Sequence, residues 1–189
     1  MPLHLSKPAL RVLGIAESFV RPRPHSLLAG VVMRADLRVD GLAFARATVG
    51  GDDATRAVLK ICSRLGRSDV NALLLSGAVI SWFNIIDLQE IFEMSEKPVI
   101  CLTYEGSAGL EEFICEHFPE PDEKLRLYRR LGERKAVRLA TGHQVFVRCL
   151  GASEEEARIL INKFTLDGRL PEPVRLARLA ARSVMSAEE

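Results

Sequence analysis

Arginines at helical spacing are the residues of this chain that most directly suggest chemistry. Arg126, Arg130 and Arg134 fall at i, i+4, i+8, and Arg175, Arg178 and Arg182 at i, i+3, i+7. Each set shares one helical face, where planar guanidinium groups can follow the phosphates of a nucleic acid. The same spacing also describes a solvated face paired to acids. Trp82 and Phe83 offer rings that stack on bases, or that anchor a core or a subunit interface. Asn84 and Asp87 sit where the following helix needs a cap, and Asn84 is the better placed by position. Ser76-Gly77 closes the apolar run Val70–Leu75. In open α/β sheets ligands bind outside the carboxyl ends of the strands, so a catalytic group is expected there. Ser76 has no charge to offer a metal. Asp52 and Asp53, behind the Gly50-Gly51 turn, read as a helix cap stabilising by about 1 kcal/mol.

Other chemistries are excluded residue by residue. His4, His25, His117 and His143 are scattered, and none is paired with a Ser or Cys in a nucleophile motif. Gly50-Gly51 lacks the Gly-Lys-Ser/Thr spacing of a P-loop. Cys62, Cys101, Cys115 and Cys149 form no C-x-x-C pair and no zinc spacing, and their apolar contexts predict buried, reduced thiols. Net charge is +1, so no global field attracts nucleic acid or an acidic membrane, and electrostatic binding must come from local clusters. Of 26 basic residues six are Lys, which leaves 20 Arg. A compositional bias or a hot habitat explains that excess, and so does a demand for bidentate phosphate partners. No apolar run reaches the roughly 18 residues needed to span a bilayer. Met1 to Arg11 lacks the apolar core of a signal peptide. A cytoplasmic location follows as the expectation.

The elements that must position these groups read in order. Leu10–Glu17, Leu27–Arg34 and Leu37–Val49, the last kinked at Gly41, are strands joined by short links, hence an antiparallel meander. A helix follows Asp53 to about Leu65, with Ala57, Val58, Ile61, Cys62 and Leu65 on its apolar face and Gly66 as its stop. Val70–Leu75 and Pro98–Tyr104 are buried strands, the first parallel to its predecessor. Helices are expected at 86–94, 108–117 and 122–131, then a hairpin of 137–140 with 145–150. Ser153 and Glu156 form a capping box, and Pro171-Glu172-Pro173 opens a final helix ending near Met185. Nothing marks a domain boundary, so residues 1–189 read as one domain.

Three antiparallel strands, then helix, strand, helix, strand, is the element order of the ribonuclease H-like fold. Four segments carry a more specific likeness. They are Gly14-Ile15-Ala16-Glu17, Gly50 to Thr55, Ser76-Gly77 through Phe83-Asn84-Ile85-Ile86-Asp87, and Leu170-Pro171-Glu172-Pro173-Val174-Arg175-Leu176-Ala177. Together they resemble the archaeal domain-of-unknown-function ninety-nine family over nearly the whole chain. That family is similar to endonuclease V, a metal-dependent nuclease acting beside deaminated bases. The fold class implied is α/β, a mixed sheet of three antiparallel then parallel strands flanked by helices.

In endonuclease V, carboxylates from the first strand, the first helix region and the fourth strand hold the metal. Carried onto this chain, the first-strand acid falls on Ala16 and the fourth-strand acid on Ser76. Glu17 is adjacent, but one step along a strand points to the opposite face. Only Asp52 and Asp53 stand where the helix-region acid would be. A two-metal clamp needs more anionic ligands than one acid supplies. The resemblance therefore implies three readings. The first is a nucleic-acid-binding or complex-forming protein with an eroded metal site, using Arg126, Arg130, Arg175, Arg178 and Trp82 and needing no cofactor. The second is a weak magnesium- or manganese-dependent endonuclease using Glu17 with Asp52 or Asp53. The third is a structural subunit, a homo-oligomer or partner of another protein, with Trp82 and Phe83 in the interface.

Overall fold

The structure is a computed structural model that describes residues 3, 5–106 and 109–187. Its first three strands, β1 (Arg11–Ser18), β2 (His25–Arg34) and β3 (Val39–Thr48), form the antiparallel meander that their short links require. The kink expected at Gly41 is a register shift: Val32 pairs with Gly41 and Met33 with Val39, skipping Asp40. Helix α1 (Ala54–Leu65) buries Ala57, Val58 and Ile61 and ends at Gly66 in the left-handed region. Strand β4 (Ala72–Ser76) follows, then a two-residue hairpin, β5 (Val79–Ile80) with β6 (Asn84–Ile85), that the sequence pattern did not reveal. Next come α2 (Leu88–Ser95), β7 (Val99–Thr103), α3 (Glu111–His117), α4 (Asp122–Arg130), the hairpin β8 (Lys135–Arg138) with β9 (Gln144–Leu150), and α5 (Glu154–Lys163) and α6 (Glu172–Ala187).

The main sheet has the order β3-β2-β1-β4-β7-β9-β8. Strand β4 is parallel to β1 and β7 is parallel to β4, while β9 is antiparallel to β7. This is the mixed, ribonuclease H-like arrangement that the element order implies. The neighbour of β4 is β1 rather than its predecessor β3, because β3 is the edge of the meander.

Apolar layers cover both sheet faces, so β4 and β7 read as continuous apolar runs rather than alternating ones. On one face Val12, Ala16, Leu74 and Leu102 pack with Phe164, Val174, Ala177 and Ala181 from α6 and the end of α5. On the other, Leu13, Ile15, Leu73 and Leu75 pack with Val58 and Ile61 of α1 and Ile91 of α2. The approach of α6 to β1 is close enough that a Cβ on Gly14 would lie 2.5 Å from the carbonyl carbon of Pro173. Only glycine fits there.

Several local expectations are corrected. The expected start of the third helix, Ala108, lies outside the described residues, as does His4, and the described helix begins at Glu111. Helix α4 ends at Arg130, with Gly132 at positive φ, so Arg134 leaves the stripe. Cys115 is exposed, whereas Cys101 is buried and Cys62 and Cys149 are partly so. Asp87, not Asn84, caps α2, accepting from the backbone N–H groups of Gln89 at 3.0 Å and Glu90 at 3.2 Å. The expected capping box is present, with Ser153 N–H on Glu156 at 2.8 Å and Glu156 N–H on Ser153 Oγ at 3.2 Å.

Candidate functional site at the strand ends

The carboxyl ends of β1 and β4 lie side by side. Gly14 pairs with Leu74 and Ile15 with Leu75, so Ala16 and Ser76 are the next residues along the two strands. Strand alternation then sorts the candidates. Ala16 packs on the α6 side with Leu74 and Leu102, and Glu17 stands one step on, in phase with Leu13 and Ile15 on the α1 side.

Each candidate acid is engaged by other groups. Ser81 donates its backbone N–H to Glu17 at 2.8 Å, and its hydroxyl bonds the same carboxylate. Ser81 Oγ also lies 2.6 Å from Ser26 Oγ on β2. Asp53 does not cap α1 with its side chain. Its carboxylate turns back to accept Thr48 N–H at 2.9 Å, Thr48 Oγ1–H at 2.8 Å and the Asn84 amide at 2.8 Å. Burial raises the Asp53 carboxyl, but these three hydrogen bonds outweigh that and hold its pKa below the ordinary 3.8. Asn84 carries the capping role instead: its Oδ1 accepts Ala54 N–H at 2.9 Å, at the start of α1. Asp52 is exposed and pairs with Lys124 of α4, whose ammonium also bonds the carbonyl of Gly51 at 2.9 Å.

Glu17 and Asp53 thus serve one short turn. Ser81, Trp82 and Phe83 all have positive φ, at 43°, 59° and 63°. Three consecutive non-glycine residues in the left-handed region cost roughly 1–2 kcal/mol each. Bonds donated by Ser81 to Glu17 and by Asn84 to Asp53 fix the turn at both ends. Trp82 is presented from it. The Arg21 guanidinium stands 3.8 Å over one face of the indole, with Phe83 and His117 edge-on at 5.3 and 5.2 Å. Sequence reasoning missed Ser81, Thr48 and Lys124, because their partners are brought near only by folding.

The opposite sheet face presents a different set. Arg178 of α6 donates to Ser76 Oγ at 3.0 Å. The Arg178 and Arg169 guanidiniums lie 5.6 and 5.8 Å from the Tyr104 ring. The other nominated arginines each face a carboxylate: Arg126 meets Glu123 at 3.5 Å, Arg130 meets Asp87 at 3.1 Å, and Arg175 grips Glu172 with contacts from 2.6 to 3.0 Å. They therefore do not form bare stripes: the Arg126–Glu123 pair is exposed and separable, whereas Asp87 and Glu172 are buried acids. Burial pushes the thiols of Cys62 and Cys149 up to about 11 and that of Cys101 to about 12, which makes none of these a nucleophile.

A divalent metal, which the fold family implies, does not fit this donor set. Magnesium takes carboxylate and other hard oxygens. The two strand ends supply a methyl and a hydroxyl, with a guanidinium bonded to the hydroxyl. Among the described residues no three His, Cys, Asp or Glu side chains converge to hold an ion.

Comparison with known proteins agrees with this frame. The family model described as endonuclease dU matches residues 8–185. A UPF0215 protein of Pyrobaculum calidifontis is 35% identical over 173 residues, covering 91% of this chain and 95% of its own. A crystal structure of a protein of unknown function from Archaeoglobus fulgidus superposes with a TM-score of 0.80 at 24% identity, covering 93% of this chain and 98% of that one. Endonuclease V of Ciona intestinalis, solved with a DNA containing an inosine, superposes with a TM-score of 0.66 at 14% identity, covering 98% of this chain and 89% of that one.

Proposed function

The chain belongs to the endonuclease dU family, and from that membership we propose that it binds nucleic acid without metal-dependent cleavage at its strand ends. The observation that carries the reading is the bond from Arg178 to Ser76, beside Ala16, where the resemblance puts acids. A guanidinium at that place repels a divalent cation and attracts a phosphate. The fold has the same class of ligand in the Ciona endonuclease V, which was solved with DNA. Glu17 and Asp53 carry structural duties on the 81–84 turn, and Asp52 is held by Lys124. On this reading no cofactor is required.

The test uses labelled single- and double-stranded oligonucleotides containing one deoxyuridine or one inosine, with magnesium or manganese present. Binding that weakens as salt rises, with every strand left intact, is the expected result. Absence of binding at low salt removes the proposal. So does metal-dependent cutting at the deaminated base that disappears in the double variant Glu17→Gln, Asp53→Asn.

A further inference from the structure

The pocket at the carboxyl ends of β4 and β7 has the chemistry of an anion site, beside the strand end where the family resemblance puts a carboxylate. Its chemistry-bearing lining is Ser76, Thr103, Tyr104, Glu105, Arg169 and Arg178, around a volume of about 460 Å³. That volume lies within the range of small-molecule sites, enough for a phosphate with its attached sugar. We propose that this pocket binds a phosphate group directly through Arg169 and Arg178, with no metal between them.

Three observations support it. First, the two guanidiniums come from different elements, Arg169 from the link before α6 and Arg178 from α6 itself, and both stand beside the Tyr104 ring and line the same pocket. Two forks in one pocket suit a tetrahedral oxyanion better than a lone ammonium does. Second, among the described residues the partners of Arg178 are the Ser76 hydroxyl and the Tyr104 ring, so its charge is met by no carboxylate. Arg169 donates to the Tyr104 carbonyl at 2.5 Å and stands 3.6 Å from Glu105, whose side chain is 85% exposed and free to swing away. Glu105 is the one acid among the described lining residues. Third, Tyr104 brings no negative charge to the pocket at neutral pH, because burial pushes its phenol up to about 12.

The source of the phosphate rests on the nucleic-acid reading above, and the experiment separates the two ideas. Wild type, Arg178→Ala, Ser76→Asp and a control, Arg158→Ala, on α5 and outside the pocket, are titrated with and without EDTA, using inorganic phosphate and a labelled single-stranded oligonucleotide. Arginine side-chain NMR and fluorescence anisotropy are the readouts, and circular dichroism checks folding. Phosphate is expected to shift the Arg169 and Arg178 Nε–H resonances. Arg178→Ala is expected to weaken oligonucleotide binding by about tenfold and to lower the salt slope by about one. Ser76→Asp, which places a carboxylate under the guanidinium, is expected to do at least as much, and Arg158→Ala to leave binding unchanged. If both pocket variants bind phosphate and oligonucleotide like wild type, the pocket is not the site, while nucleic-acid binding stands. If phosphate binds in an Arg178-dependent way and the oligonucleotide does not bind, the pocket stands with a free phosphate ligand, and the nucleic-acid reading falls. Binding that EDTA abolishes overturns the metal-free route.

Discussion

Single side chains in this protein change role with the partner that folding supplies. Asp53 looks like a helix cap and is instead an acceptor for Thr48 and Asn84. Asn84 looks like the cap of the helix after it and reaches back to the helix before it. Asp69 shows the same principle at the surface. Its hydrogen bonds from Arg67, at 2.9 and 2.7 Å, together with the charges of Arg67 and Arg11, hold its pKa at about 2 against the opposing effect of burial. A carboxyl with a folded pKa below its unfolded value stabilises the fold above the unfolded value and loses that contribution as pH falls. For Asp69 the window runs from pH 3.8 down to 2, and Asp53, also lowered, titrates out below the same upper limit. Urea unfolding measured between pH 5 and 2 should therefore show stability falling below pH 4. Asp69→Asn should flatten that fall, and an equally steep fall in the variant would show that the pair does not carry it.

Elements are placed by two kinds of contact that local sequence only hints at. Gly14 of β1 lets the start of α6 lie against the strand, since any Cβ would meet the Pro173 backbone. Gly14→Ala should cost about 1–3 kcal/mol. For a chain of this size that is a fall in Tm of roughly 2–12 °C, readable by calorimetry. A tolerated alanine would mean that α6 can shift outward. The 81–84 turn is the second case. Its left-handed run of Ser81, Trp82 and Phe83 is held by Glu17, a residue that the family likeness nominated for chemistry. Glu17→Ala leaves the buried Ser81 donor without a partner and should cost about 1–3 kcal/mol. Trp82 is the only tryptophan, so its emission should shift to the red as the turn loosens. Unchanged fluorescence and stability would show that the turn holds without Glu17.

For the whole molecule, a net charge of +1 means that phosphate binding must be local and its salt dependence shallow. A single strand loses about 0.7 in the logarithmic salt slope for each phosphate neutralised. With Arg169 and Arg178 as the main contacts the slope should lie near −1 to −2 by that rule, well below that of a strongly basic protein. A much steeper slope would mean that Arg126, Arg130 and Arg175 leave their acids and join in. The strand meander, the helix stop at Gly66 and the capping box at Ser153 were legible in the sequence. The reason is that periodicity, glycine geometry and caps act within a few residues. The identity of β4's neighbour, the hairpin of β5 and β6, and every partner of the candidate site were not. Glu17 meets Ser81 across 64 residues, and Arg178 meets Ser76 across 102. Sequence alone determined that two expected acids are missing at the strand ends, since that needs only residue identity in a recognised frame. Only the tertiary structure decided what replaced them, because the packing of α6 against the sheet brings an arginine to that place.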